Sequence, residues 1–170
     1  MDRFAFAIAI AVSLGVAGSG PLLAEVRNDF SHGTASCQSA LPVFDGHIRK
    51  RPQAIANEGV ATAFITCDSD SIRLGEASFS KVTVYFLNRG SSLVDVSCTL
   101  VDGIFNDGTD YFPKTIANLE PGTDVGGLQW TANDNGGNDF GSPAISCALL
   151  PEVDIVGLGF VYEDGPPLPE

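Results

Sequence analysis

Apolar and polar positions alternate along most of this chain, in short runs separated by Gly, Pro, Asn, Asp and Ser. From Lys81 to Asn88, Val82, Val84 and Phe86 fall on one side and Thr83, Tyr85 and Leu87 on the other. Leu93 to Val101 aligns Val94, Val96, Cys98 and Leu100, with Asp95, Ser97 and Thr99 opposite. A period of two marks a strand with one buried face. The Asn88-Arg89-Gly90-Ser91-Ser92 loop between the two runs predicts a hairpin, and Asp102-Gly103 ends its second strand.

Other segments follow the same rule. A short strand is expected around Cys37. Gly46 to Ala56 reads as one strand bent at Pro52, joined by Asn57-Glu58-Gly59 to Val60–Cys67, where Ala61, Ala63, Ile65 and Cys67 oppose Phe64. Further runs cover Tyr111–Leu119, Gly127–Ala132 with the only tryptophan (Trp130), Ala144–Leu150 and Asp154–Tyr162. Almost nothing has a helical period. The expected fold is therefore all-β: an antiparallel β-sandwich, jelly-roll or immunoglobulin-like, of about eight strands with two disulfides. No internal repeat is evident. Val96–Leu100 and Ile145–Leu149 rhyme around Ser-Cys, as two strands would if each needed an inward cysteine.

The ends break the pattern. Phe4 to Val16 is an apolar run interrupted only by Ser13 and Gly15. It has the length of a signal-peptide core and is short for a membrane span. Residues 1–24 are expected to be a leader cut after Ala24, with Gly18 and Gly20 as other cut points. Residues 25–162 would form a single domain with no membrane span, and 163–170, with three prolines, a flexible tail. A secreted or periplasmic location follows.

That location gives the cysteines a meaning. Cys37, Cys67, Cys98 and Cys147 all follow the leader, and their wide spacing matches no zinc motif. In an oxidising compartment an even set reads as disulfides. Of three possible connectivities, Cys37–Cys67 with Cys98–Cys147 keeps each bridge within one half of the chain. The absence of any Asn-x-Ser/Thr site among eight asparagines favours a bacterial exported protein.

The stretch Ile145-Ser146-Cys147-Ala148-Leu149-Leu150-Pro151, running into a final apolar strand and Tyr162-Glu163, resembles the ends of uncharacterised exported proteins of Gram-negative bacteria, as does Ala63-Phe64-Ile65-Thr66-Cys67. The resemblance covers about a third of the chain. It implies a secreted β-rich domain and assigns no activity or site residue.

Charge narrows the partners. Nine Lys+Arg against twenty-one Asp+Glu give a net charge of −12, unchanged by loss of the leader. Nucleic acid, which needs clustered cations, is excluded as a partner. The basic run His47-Ile48-Arg49-Lys50-Arg51 would, as a strand, put His47, Arg49 and Arg51 on one face, to grip a carboxylate or phosphate or to protect a sheet edge.

Candidate chemistry is sparse. His32 and His47 read as surface histidines, and no nucleophile elbow, zinc-protease or phosphate-loop motif is present. The loop Asn133–Asp139 is rich in oxygen ligands and glycine, suiting either a calcium ion, with help from Asp107 and Asp110, or ordinary turn geometry. Tyr111, Phe112 and Trp130 read as a sugar-stacking platform or as core. No catalytic residue, metal site or cofactor is assigned. The leading expectation is an exported non-catalytic β-sandwich, structural or ligand-binding, with a glycan or another envelope protein as partner. The alternatives are a calcium-assisted lectin-like adhesin and a carboxylate-based glycoside hydrolase.

Overall fold

The computed structural model describes residues 26–69, 77–103, 108–122 and 127–164. The expected leader, Asp107 and residues 165–170 of the expected tail lie outside them. Among the described residues are eleven strands: β1 (Val26–His32), β2 (Cys37–Ser39), β3 (Ile48–Arg51), β4 (Ala54–Asn57), β5 (Ala63–Asp68), β6 (Ala77–Asn88), β7 (Val94–Asp102), β8 (Asp110–Leu119), β9 (Leu128–Thr131), β10 (Ala144–Leu149) and β11 (Val153–Asp164). A one-turn helix, α1 (Gly33–Ser36), links β1 to β2.

The strands form two antiparallel sheets. The first has the order β3-β4-β11-β6-β9, with β1 also paired to β11; the second has the order β2-β5-β10-β7-β8. The inward side chains of the two sheets meet between them, and in β11 Ile155 rather than Val156 turns inward beside Leu158, because a bulge between Ile155 and Gly157 interrupts the alternation. Val82, Val84, Phe86, Trp130, Ile155 and Leu158 come from the first sheet, and Ile65, Val96, Leu100, Ile145 and Leu149 from the second. Burial of these side chains is the main force holding the sheets together.

Both disulfides lie in the second sheet and join residues directly opposite on neighbouring strands: Cys37 to Cys67, and Cys98 to Cys147. The Ser-Cys rhyme thus marks two partners of one bridge.

The structure corrects three expectations of local pairing. Lys81–Asn88 and Leu93–Val101 do not form a hairpin: β6 pairs with β11 and β9, and β7 with β10 and β8. The loop between them crosses from one sheet to the other. Alternation shows which face of a strand is buried, and two strands facing each other across a core alternate as two neighbours do. Second, Gly46–Ala56 is not one bent strand. β3 and β4 fold back on each other at Pro52-Gln53, with Arg51 opposite Ala54. Third, the last strand runs past Tyr162 through Glu163 and Asp164, which pair with Ser78 and Ala77 of β6.

One end of the sandwich carries a repeat hidden from the sequence reading. Asn57 ends β4 and Asn88 ends β6; both are fully buried, and each begins an Asn-x-Gly crossing to the second sheet. The Asn57 amide donates to the carbonyls of Ala61 (2.9 Å) and Leu149 (2.8 Å), and its Oδ1 accepts the Gly59 N–H (3.0 Å). The Asn88 amide donates to Ser92 (2.8 Å) and Leu119 (2.9 Å), and its Oδ1 accepts the Gly90 N–H (2.9 Å). The crossings back are matched too. Leu149-Leu150-Pro151-Glu152 returns a main-chain bond from Glu152 to the Asn57 carbonyl, and Leu119-Glu120-Pro121-Gly122 returns one from Gly122 to Asn88. Glu152 and Gly122 share a left-handed backbone, with φ of 61° and 70°. A 31-residue offset relates Asn57 to Asn88 and Cys67 to Cys98.

Candidate functional site

The outer face of the first sheet carries the most distinctive surface chemistry. β11 lies at its centre, and alternation there calls for outward side chains opposite His32 and Phe30 of β1. The residues at those places are Gly157 and Gly159. A Cβ on Gly157 would lie 2.2 Å from the Phe30 ring tip, and one on Gly159 would lie 3.2 Å from the Tyr85 ring. Glycine within a strand marks such a close approach. The rings on the flanking strands β1 and β6 therefore rest on bare backbone.

The result is a small cluster of rings, with Phe30 and Tyr85 tilted 50° to each other. The Phe30 and Tyr85 rings are 5.9 Å apart, and the His32 ring stands edge-on to Phe30 at 5.4 Å. Phe30 is 53% exposed, although burial would be the favourable place for so large an apolar group.

The register places a charged cluster on the same face. Arg49 lies opposite Ala56, Ala56 opposite Asp154, and Asp154 opposite Leu87, two residues from Tyr85. Asp154 is buried. Arg89 reaches over it from the crossing after β6, its Nε donating to both carboxylate oxygens at 2.9 Å. Burial pushes the Asp154 carboxyl above the usual carboxylate range, and the Arg89 guanidinium pulls it back only in part. Arg51 pairs with Glu58 at the surface. Arg49 is exposed; its Nη1 donates to the Ile48 carbonyl at 3.2 Å and the Asp45 carbonyl at 3.5 Å.

The residues singled out from sequence fall in several places. Of the basic run, Arg49 and Arg51 share the outer face of the edge strand β3. Lys50 turns to the other side, lining a groove with Gln38, Ser39 and Asp45. His47 precedes the strand, and it is half-buried, its ring packed where a Gly59 side chain would otherwise sit. His32 is exposed.

Tyr111, Phe112 and Trp130 do not form a platform. Trp130 is fully buried, its Nε1 donating to the Phe112 carbonyl at 2.7 Å, and the Phe112 ring packs edge-on against Phe140. Tyr111 points the opposite way and is 66% exposed.

In the 133–139 loop the acidic side chains turn to protein partners. Asp134 accepts the Thr131 N–H at 2.8 Å and pairs with Lys114 at 2.7 Å; Asp139 accepts the Ser78 hydroxyl at 3.0 Å. Burial raises the Asp134 carboxyl, but the bonds from Lys114 and Thr131 outweigh it and leave the group below its ordinary value. Gly136 and Gly137 adopt positive φ, the turn geometry their residue type favours. Asp110 pairs opposite Asp102 at the start of β8. Among the described residues, no three His, Cys, Asp or Glu side chains are grouped to hold a metal ion.

Sequence reading missed Phe30, Tyr85 and the two glycines. The available signal was Gly157-Leu158-Gly159, two glycines on the outward positions of an otherwise apolar strand.

No protein-family model matches the chain, and no curated relative does. Solved structures similar to it include two at 10% identity. One is a family two carbohydrate esterase from Cellvibrio japonicus (TM-score 0.48), with 86% of this chain and 38% of that one covered. The other is TmCBM61 in complex with β-1,4-galactotriose (TM-score 0.33), with 81% of this chain and 84% of that one covered. The chain thus spans well under half of the esterase structure. Neither likeness transfers an activity.

Proposed function

We propose that this protein is an exported, non-catalytic carbohydrate-binding module that holds sugar against the Phe30–Tyr85 platform. The observation that carries the reading is the pair of rings seated on Gly157 and Gly159 at an open sheet face. An aromatic ring offers an apolar surface to the C–H faces of a sugar, and the Tyr85 hydroxyl adds a polar handle. A rigid sheet holds the rings in place before ligand arrives, which lowers the ordering cost of binding. Two disulfides fit an oxidising, secreted or periplasmic setting. No helix among the described residues is long and apolar enough to cross a membrane.

Glycan-array and calorimetric binding test the reading. Phe30→Ala and Tyr85→Ala should each weaken binding about tenfold, near 1.4 kcal/mol. Phe30→Ala should barely move the melting temperature, because the side chain is half in solvent. Unchanged affinity in both variants, or turnover of the bound glycan, would overturn the proposal.

A further inference from the structure

We infer that the glycan held on this face is anionic, a chain of carboxylate-bearing sugars whose acid groups meet Arg49 and Arg51. The inference rests on the reading of Phe30 and Tyr85 as the sugar platform and names its ligand class. Three observations carry it. The arginines share the outer face of the first sheet with the platform: the register runs from β3 through β4 and β11 to β6, and β6 keeps Leu87 and Tyr85 on one face across the β11 bulge between Ile155 and Gly157, beyond which β1 pairs. The hairpin tip that bears Arg51 lies beside the platform, since the Thr34 hydroxyl, two residues after His32, donates to the Pro52 carbonyl at 3.3 Å. Finally, three of the chain's nine Lys and Arg residues lie here, Arg49, Arg51 and Arg89, against two carboxylates, Glu58 and Asp154, that pair with Arg51 and Arg89.

The three arginines differ in availability. Arg89 is committed to the buried Asp154. Arg51 holds Glu58 in a solvent-exposed pair; such pairs contribute about 0–1 kcal/mol, so an incoming carboxylate can displace Glu58. Arg49 meets no carboxylate among the described residues, and its Nε and Nη2 remain to receive one. The planar guanidinium fork matches a carboxylate in two-point contact. Arg49 and Arg51 stand two strand positions apart, roughly 7 Å. That spacing lets one chain engage both while another of its rings rests on Phe30.

The test compares oligouronates of galacturonate, mannuronate and glucuronate with their methyl esters, the same chains without charge. The free acid of at least one should bind ten times or more tighter than its ester at low salt, with the advantage shrinking as salt rises. Arg49→Gln with Arg51→Gln should bring the acid to the affinity of the ester and leave the ester unchanged. Phe30→Ala should weaken both. Equal binding of acid and ester, with loss of both in Phe30→Ala, would refute the acidic ligand and leave the platform standing. Acid binding that persists in the arginine variants would also refute it. Failure of every acid and ester, alongside failure on the glycan array, would bring down the platform as well.

Discussion

Asp154 sits on the outer face of the first sheet, yet it is buried, because the Arg89 side chain lies across it. Burial disfavours the ionised form, and the guanidiniums of Arg89 and, more weakly, Arg51 only partly offset that cost, while Glu58 adds to it, so the folded-state pKa is raised above the ordinary value of 3.8. The sign of the pH effect follows. Between that ordinary value and the higher folded one, the native state binds more protons than the unfolded chain. Stability from this group is therefore fully present below the unfolded pKa and is lost as pH rises through the folded one. Chemical denaturation across the acidic range should show the wild type gaining on Asp154→Asn as pH falls. A difference that is flat, or that runs the other way, would contradict the raised pKa. Nothing at position 154 in the sequence announces this, since the run from Asp154 to Tyr162 reads as an ordinary alternating strand and Arg89 comes from 65 residues away.

Strands and their connections follow a different logic. The two Asn-x-Gly crossings each hold a buried carboxamide that satisfies two carbonyls and one N–H at the point where the chain changes sheets. Buried backbone groups without partners are costly, so Asn57→Ala and Asn88→Ala should each destabilise by about 3 kcal/mol or more, read as a shift in urea midpoint. The matched bonding predicts similar costs at the two sites. A loss under about 1 kcal/mol at either would mean that water replaces the amide there. The same crossings explain why a hairpin was expected after β6. Asn-Arg-Gly-Ser-Ser is good turn material for either outcome, and the Leu119 carbonyl that Asn88 bonds in the crossing is brought in by β8, 31 residues away. The candidate site was legible to the extent that Gly157-Leu158-Gly159 was visible. The rings that fill the space come from β1 and β6, and their meeting depends on sheet order.

The sandwich closes only when its last strands arrive. β10 lies between β5 and β7, and β11 between β4 and β6, so the centre of both sheets is supplied by the C-terminal part of the chain. Such long-range pairing makes folding slow for its size. The Cys98–Cys147 bridge ties β7 to the late-arriving β10, whereas Cys37–Cys67 holds the three-residue edge strand β2. The enclosed loops, with sequence separations of 30 and 49, give nearly equal chain-entropy terms of roughly 4 kcal/mol each. Paired Cys98→Ala and Cys147→Ala should therefore cost at least as much as paired Cys37→Ala and Cys67→Ala, and should slow refolding more. Urea unfolding with stopped-flow refolding checks this. The reverse order would show that the β2 edge, not the central strand, limits the fold.

The amino-acid sequence by itself determined the class of fold, the inward faces of β5, β6, β7 and β10 and the cysteines available for bridging. Each of these is set by local alternation and by residue type. The tertiary structure decided which strand pairs with which, sent β6 and β7 to different sheets and buried Trp130. It also brought Phe30, Tyr85 and the arginines onto one face. Pairing is a choice among surfaces with the same period, and it is made by contacts between residues far apart along the chain, such as Asn88 with Leu119 and Phe30 with Gly157.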